Sequence, residues 1–305
     1  MSAAASVLEI ESPLHKPIEP EEEVHEHLIL ETFIKPTGPL ITVDLDDVLS
    51  QTNQAVADWH NTVYGTEMKM SDFLCEYIVC GKPSESGHSH LIRYRADYYY
   101  WKNPYWGDRA ETFRKVREFY QTDRIYNTQP IPGAREGIET LRQMGFRLII
   151  VTARAEDTAD QSWEWVQRYF PDCFERIVCT GQFKDAHKKG HEVVTRLSKA
   201  QVCHDLKAIM LIDDSSENAL SVVTAENPTP VLLFGDGQWN KRVVQDGDAY
   251  KDMSYDDRKA IEGDREYWKE ETVPFPEGAP YARVKDWSEV IRWVKARIIE
   301  GKLQM

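Results

Sequence analysis

The sequence predicts an α/β fold, a doubly wound parallel sheet with a helical block inserted after its first strand. Three observations carry this expectation. Apolar runs such as Leu40-Ile41-Thr42-Val43 and Leu148-Ile149-Ile150-Val151 show no alternation with polar residues, as strands covered on both faces do. Stretches with apolar residues three and four apart separate these runs, the alternation expected of a wound sheet. Two strand ends carry paired carboxylates, Asp44-x-Asp46 and Asp213-Asp214, and the carboxyl edge is where open sheets place their sites.

Taken in order, the first forty residues hold eight Glu against two Lys, with Pro13, Pro17 and Pro20 among them. This composition predicts a loosely ordered acidic arm over residues 1–38. The first strand runs into Asp44, Asp46 and Asp47, and Asp47 can also cap a following helix. Residues 51–129 show no second parallel-strand pattern. Val56, Trp59 and Val63 follow a helical period, as do Phe113, Val116, Phe119 and Tyr120, so the block reads as a helical cap.

Strand and helix alternation resumes at Pro130. Pro132-Gly133 opens a helix bearing Ala134, Ile138 and Leu141, with Gly145 at its end. The strand from Phe146 ends at Thr152-Ala153-Arg154, and a helix with Trp163, Val166 and Phe170 leads to a strand over 176–179. Beyond a polar loop rich in Lys and His, Ser198 caps a helix beginning at Lys199, with Val202 and Leu206 on one face. The strand over 208–212 then ends in Asp213-Asp214. A strand over 230–234 and a helix capped by Asp286, with Val290, Trp293 and Val294 inward, complete a core of residues 39–50 and 130–305. Residues 246–272 are mostly charged and read as a surface excursion.

The composition, 41% hydrophobic and 11% aromatic, fits a globular chain with an ample core. Of the net charge of −14, −6 lies in the first forty residues, and neither part offers the basic stripe that a nucleic-acid polymer requires. No apolar run approaches the ~18 residues needed to cross a bilayer. Five cysteines without a secretory apolar segment fit a reduced, cytoplasmic setting.

Two carboxylates two residues apart repel each other unless a cation lies nearby or one is protonated. The Asp44-x-Asp46 pair therefore predicts a divalent metal. A calcium loop is excluded because no Gly follows at the turn position and a strand precedes it. Cys75, Cys80, His88 and His90 are spaced irregularly for a zinc finger, and His187-x-x-x-His191 lacks a third ligand.

The order of a carboxylate pair, a strand-end hydroxyl, a helix-start Lys and a second carboxylate pair resembles the four motifs of the haloacid-dehalogenase-like phosphatase superfamily. Asp44 and Asp46 match the first, Thr152 the second, Lys199 the third, and Asp213 and Asp214 the fourth. Lys184, Lys188 and Lys189 compete for the third, but only the helix of Lys199 leads directly into the Asp213 strand. The resemblance implies a phosphomonoesterase that uses Mg2+, in which Asp44 attacks phosphorus and forms an aspartyl-phosphate. Asp46, kept partly protonated by its neighbours, would be the acid and base. Thr152, the backbone at Ala153, and Lys199 would hold phosphoryl oxygens. Asp44, Asp213, Asp214 and the backbone carbonyl of Asp46 would hold the metal. Such a division suits a phosphoester, whose negative charge must be neutralised before a nucleophile can approach.

Within the superfamily the sequence is most similar to the 5′(3′)-deoxyribonucleotidase-like branch. The matching segments are Val43 to Leu49, His60-Asn61-x-x-Tyr64-Gly65-Thr66, Pro132-Gly133-Ala134, Ile212 to Ser215 with Asn218, Trp239-Asn240, and Arg283-Val284-x-x-Trp287. This implies a small soluble phosphorylated substrate, with nucleoside monophosphates among the candidates. Tyr94, Tyr98, Tyr99, Tyr100, Trp101, Tyr105 and Trp106 either stack on a base or pack the cap. Arg93, Arg95 and Arg154 are candidate phosphate contacts. A dehalogenase would need neither Asp46 nor a metal. A phosphotransferase of the same superfamily, or a binding module that contacts a partner through the arm or residues 246–272, remain as alternatives.

Overall fold

A computed structural model of the protein describes residues 38–74, 99–154, 158–180, 187–189, 192–194, 197–243, 249–250 and 252–303. All of the expected acidic arm but Gly38 lies outside them, as do Cys75, Cys80, His88, His90, Arg93, Arg95, Tyr94 and Tyr98. The centre is a sheet of β1 (Leu40–Val43), β2 (Arg147–Thr152), β3 (Ile177–Cys179), β4 (His187–Lys189), β5 (Glu192–Val194), β6 (Met210–Asp213), β7 (Val231–Phe234) and β8 (Tyr281–Val284). The spatial order is β4-β5-β3-β2-β1-β6-β7-β8, and every neighbouring pair is parallel except β4 with β5.

The chain winds outward from β1 through β2 and β3 to β5, then returns to the far side of β1 as β6. That reversal opens a crevice beyond the carboxyl ends of β1 and β6. Val43 pairs with Ile150 on one side and Ile212 on the other. The N–H of Asp44 extends the ladder by donating to the Ile212 carbonyl at 2.9 Å. Asp44 and Asp213 therefore leave the sheet side by side.

Alternate strand residues enter opposite layers, which is why the runs read as continuously apolar. On one face Ile41, Val43, Leu148, Ile150, Met210, Ile212, Leu232 and Phe234 form one core with three helices. These are α3 (Ala134–Gln143), α4 (Ala159–Tyr169) and α8 (Trp287–Ile299). On the other face Ile149, Val151 and Val178 pack on Val202 and Leu206, and Leu211, Val231 and Leu233 pack on Ala219 and Val222. These partners belong to α5 (Lys199–Asp205) and to α6 (Ser216–Val223) with the residue after α5. Burying each such aliphatic side chain contributes about 1.5–3 kcal/mol.

Between β1 and β2 lie α1 (Thr52–Tyr64) and α2 (Arg109–Tyr120). They build a separate cluster of Val56, Trp59, Met68, Phe73, Tyr100, Trp106, Val116, Phe119 and Ile125, joined by Trp239 from beyond β7. The helical period extends past the buried stripe, since Val63 and Phe113 are exposed. In α4 the fully buried aromatic is Trp165, while Trp163 packs beside it.

Two expectations are corrected at the sheet edges. The Lys- and His-rich stretch, read as a loop, supplies β4 and β5, whose three residues each are too few to show a period. Beta strand β8 joins the opposite edge with Tyr281 exposed, so its sequence lacks an apolar run. The charged excursion also has an anchor. Beyond α7 (Tyr255–Glu262), Tyr267 is buried, with the Arg258 guanidinium 3.5 Å from its ring centre.

Candidate active site

The turn after β1 carries three carboxylates in four residues and is held from several directions. Asp47 has a left-handed backbone (φ 51°), a conformation that Asp tolerates better than most residues. Its carboxylate accepts from the Asn53 N–H at 3.1 and 3.2 Å, serving the first turn of α1 as a cap. The indole of Trp287 donates to the Val48 carbonyl at 2.9 Å, so α8 fixes the same turn from below.

Asp44 is buried, with Oδ1 accepting from the Leu45 N–H at 2.7 Å and Oδ2 2.8 Å from Lys199 Nζ. Ser198 accepts from the Gln201 N–H and thereby caps α5, which places Lys199 in its first turn. The buried ammonium also reaches Asp213 Oδ2 at 2.7 Å. Asp213 Oδ1 in turn accepts from the Ser215 N–H at 2.9 Å and Asn218 Nδ2 at 3.3 Å. Lys199 thus ties the end of β1 to the end of β6. Burial works against its charge, but Asp213 and Asp44 hold it above the usual lysine range. Lys184, the Lys188 and Lys189 side chains and His191 fall outside what is described.

The expectation for Asp46 is corrected. Its carboxylate receives Arg154 Nε at 3.2 and 3.1 Å, Arg154 NH2 at 2.7 Å and the Thr52 hydroxyl at 2.5 Å. Burial pushes it up, yet the Arg154 guanidinium and the Thr52 hydroxyl bring it below the ordinary carboxylate range. Asp46 therefore accepts on both oxygens, an arrangement that favours its charged form over a proton shared with its neighbours. Arg154, a candidate phosphate contact by sequence, is buried and bonds Asp46 and Ser162 Oγ instead.

Thr152, the last residue of β2, is fully buried and its oxygen accepts from the Arg154 N–H at 3.2 Å. Ala153 follows it, half-buried at the same carboxyl edge.

Asp44, Asp213 and Asp214 offer carboxylate oxygens all within 4.8 Å of one another, and all three residues are buried. Burial, with Asp213 and Asp46 nearby, raises Asp44 to about 7 against the pull of Lys199. Asp214 is pushed well up by burial and by Asp47, Asp44 and Asp213. With Arg154 turned to Asp46, the Lys199 ammonium bonds Asp44 and Asp213, and the Asp47 and Asp214 carboxylates lie near these two. This excess of buried carboxylate oxygen, gathered from two adjacent strand ends, fits a hard divalent cation. The Asp46 carboxylate is not in that cluster because Arg154 holds it.

Residues 41–226 match the sequence model of the haloacid dehalogenase-like hydrolases. The chain belongs to this family. The matched span runs from β1 through the loop after α6 and so contains every residue of the carboxylate and lysine cluster. Solved structures similar to this hydrolase include a predicted phosphatase from Clostridium acetobutylicum, with 13% identity, 85% of this chain and 99% of that chain covered, and a TM-score of 0.47. A HAD family hydrolase from Deinococcus radiodurans R1 with bound phosphate and sodium shares 13% identity over 86% and 97% of the two chains, with a TM-score of 0.44. A hydrolase from Pseudomonas syringae shares 13% identity over 85% and 98%, with a TM-score of 0.41. No curated protein sequence matches the chain.

Two contacts of the site escape sequence reasoning. Arg154 meets Asp46 from 108 positions away, and the indole of Trp239 donates to Asp214 Oδ2 at 2.8 Å from 25 positions away. The only signal at Arg154 is a cation two residues beyond a strand-end hydroxyl. The aromatic run is less ambiguous: Tyr100, Trp101 and Trp106 are buried, and Tyr100 and Trp106 stack on each other at 4.4 Å, leaving Tyr105 exposed among those described.

Proposed function

We propose that this hydrolase is a magnesium-dependent phosphomonoesterase that acts through an aspartyl-phosphate on Asp44. Its substrate is a small soluble phosphate, with nucleoside monophosphates the first class to try. The observation that carries the proposal is the Lys199 ammonium, bonded at once to Asp44 and Asp213 beside the third carboxylate of Asp214. Residues 39–50 and 130–305 are taken as the catalytic core and 51–129 as its cap.

Bound Mg2+ would supply charge neutralisation at the phosphoryl oxygens, held by Asp44, Asp213 and Asp214. Lys199 steadies Asp44 and offers its positive charge to the incoming phosphate, and the Thr152 hydroxyl remains able to donate to a phosphoryl oxygen. Asp44 attacks phosphorus as the bond to the leaving oxygen breaks, and that oxygen takes a proton from solvent water. A second water then attacks the aspartyl-phosphate and delivers its proton to Asp46, which passes it to solvent, releasing phosphate and restoring Asp44 and Asp46. Asp46, bare of a proton beside Arg154, is set for this second step. To protonate a poor leaving group it must first turn away from Arg154 and Thr52.

The test compares phosphate release from an aryl phosphate, sugar phosphates and nucleoside monophosphates, with and without Mg2+, in the native protein and Asp44→Asn. The expected result is release that needs Mg2+ and falls to background in the variant. Equal release by both proteins removes Asp44 from the mechanism. Native inactivity on every substrate despite Mg2+ binding favours the partner-binding alternative.

A further inference from the structure

We infer that Trp239 is a positioning residue for the metal site, its indole N–H fixing the carboxylate of Asp214 while the inserted helices hold its ring. The inference rests on the proposal that Asp44, Asp213 and Asp214 bind a divalent cation. Trp239 Nε1 donates to Asp214 Oδ2 at 2.8 Å, and both residues are buried. Asp214 also offers a carboxylate oxygen within 4.8 Å of those of Asp44 and Asp213, so one carboxylate can accept from the indole and face a cation. A carboxylate held on one side by a rigid neutral donor loses rotational freedom, which favours metal ligation.

The donor is built in rather than incidental. Trp239 opens a 3₁₀ turn, Trp239–Lys241, stapled to three elements at once. Buried Asn240 donates to the Phe234 carbonyl at the end of β7 at 2.8 Å, and its own carbonyl accepts from Ser216 Oγ of α6 and from Arg283 NH2 of β8 at 2.8 Å. The ring itself lies against Phe73 at 6.3 Å, edge to face, within the cluster of the inserted helices. On its other side Gly237 leaves no room, since a Cβ there would stand 2.3 Å from the ring. The indole reaches Asp214 from this place only while Gly237 lacks a side chain.

The experiment is calorimetric titration of Mg2+ alone into the full chain, without substrate, for the native protein, Trp239→Phe, Gly237→Ala, Phe73→Leu and Asp214→Asn. Urea midpoints are read on each. Trp239→Phe loses the N–H and keeps an aromatic ring, so Mg2+ affinity should fall by about 10- to 100-fold, the usual cost of removing a partner of a metal ligand. Gly237→Ala keeps the N–H but displaces it, and should weaken Mg2+ in the same direction. Phe73→Leu disturbs the packing with the N–H retained, and affinity within about threefold of native is expected. If Trp239→Phe is poorly folded by its urea midpoint, Gly237→Ala decides. Unchanged affinity in the deciding variant overturns the role of Trp239, as does an equal loss in Phe73→Leu. The metal proposal then still stands, provided that Asp214→Asn abolishes binding. Failure of the native protein to bind Mg2+, or native-like binding by Asp214→Asn, overturns both.

Discussion

At the scale of single residues, the site is a set of buried charges whose partners come from distant strand ends. Lys199 is the clearest case. Removing one member of a buried ion pair leaves the others uncompensated and costs about 3–5 kcal/mol. Lys199→Met leaves Asp44 and Asp213 facing each other, so a fall of that size is expected in urea unfolding without metal, with part of it regained in excess Mg2+. Arg154 makes a different prediction. Its planar fork satisfies both oxygens of Asp46, which a lysine cannot reproduce. Loss of a placed acid or base typically costs about 10²–10⁴-fold in rate. Arg154→Lys only loosens one, so steady-state kinetics should show kcat down by about 10- to 100-fold with KM little changed. The carboxylates and Lys199 were legible because their chemistry lies in local spacing and chain order. The partnership of Arg154 with Asp46 is not readable in the sequence, because it spans 108 positions and leaves no local pattern.

At the scale of elements, the turn after β1 depends on α8, the last helix of the chain. Gly137 of α3 lies so close to Trp287 that a Cβ would stand 2.5 Å from the ring, and the same indole bonds the Val48 carbonyl. Overpacking of this kind costs about 1–3 kcal/mol. Gly137→Ala should therefore lower the urea midpoint by a corresponding amount and, by shifting Trp287, reduce kcat as well. A drop in stability with unchanged kcat would show that the turn does not need its indole anchor. The two-sided strands and the caps at Ser198 and Asp286 were readable, since each rests on a short pattern with one physical cause. Strands β4, β5 and β8 were not, because short edge strands carry neither a continuous apolar run nor a full period.

At the scale of the whole molecule, the sheet and the inserted helices have separate cores, and the second contains a titratable group the chemistry does not use. His60 is fully buried among Trp59, Tyr64 and Trp106. Thr66 donates its hydroxyl proton to Asn61 Oδ1 at 2.8 Å, so its oxygen accepts from His60 Nδ1, 2.8 Å away. That chain of donors leaves the proton on Nδ1, with Nε2 buried. Burial lowers His60 from 6.5 to about 4, and Lys115 pushes the same way against the Tyr105 carbonyl and Glu111. In the unfolded chain His60 takes up a proton once the pH falls below its ordinary value, while in the folded protein it resists. Stability should therefore be unaffected by this group above pH ~6.5, decline as the pH falls toward ~4, and level off below, for a total near 3 kcal/mol. Urea unfolding at pH 7.5 and pH 5 measures the decline. In His60→Phe the difference between the two pH values should shrink by about 2 kcal/mol, the share that a shift of this size contributes by pH 5. An unchanged difference would assign the acid sensitivity to carboxylates elsewhere.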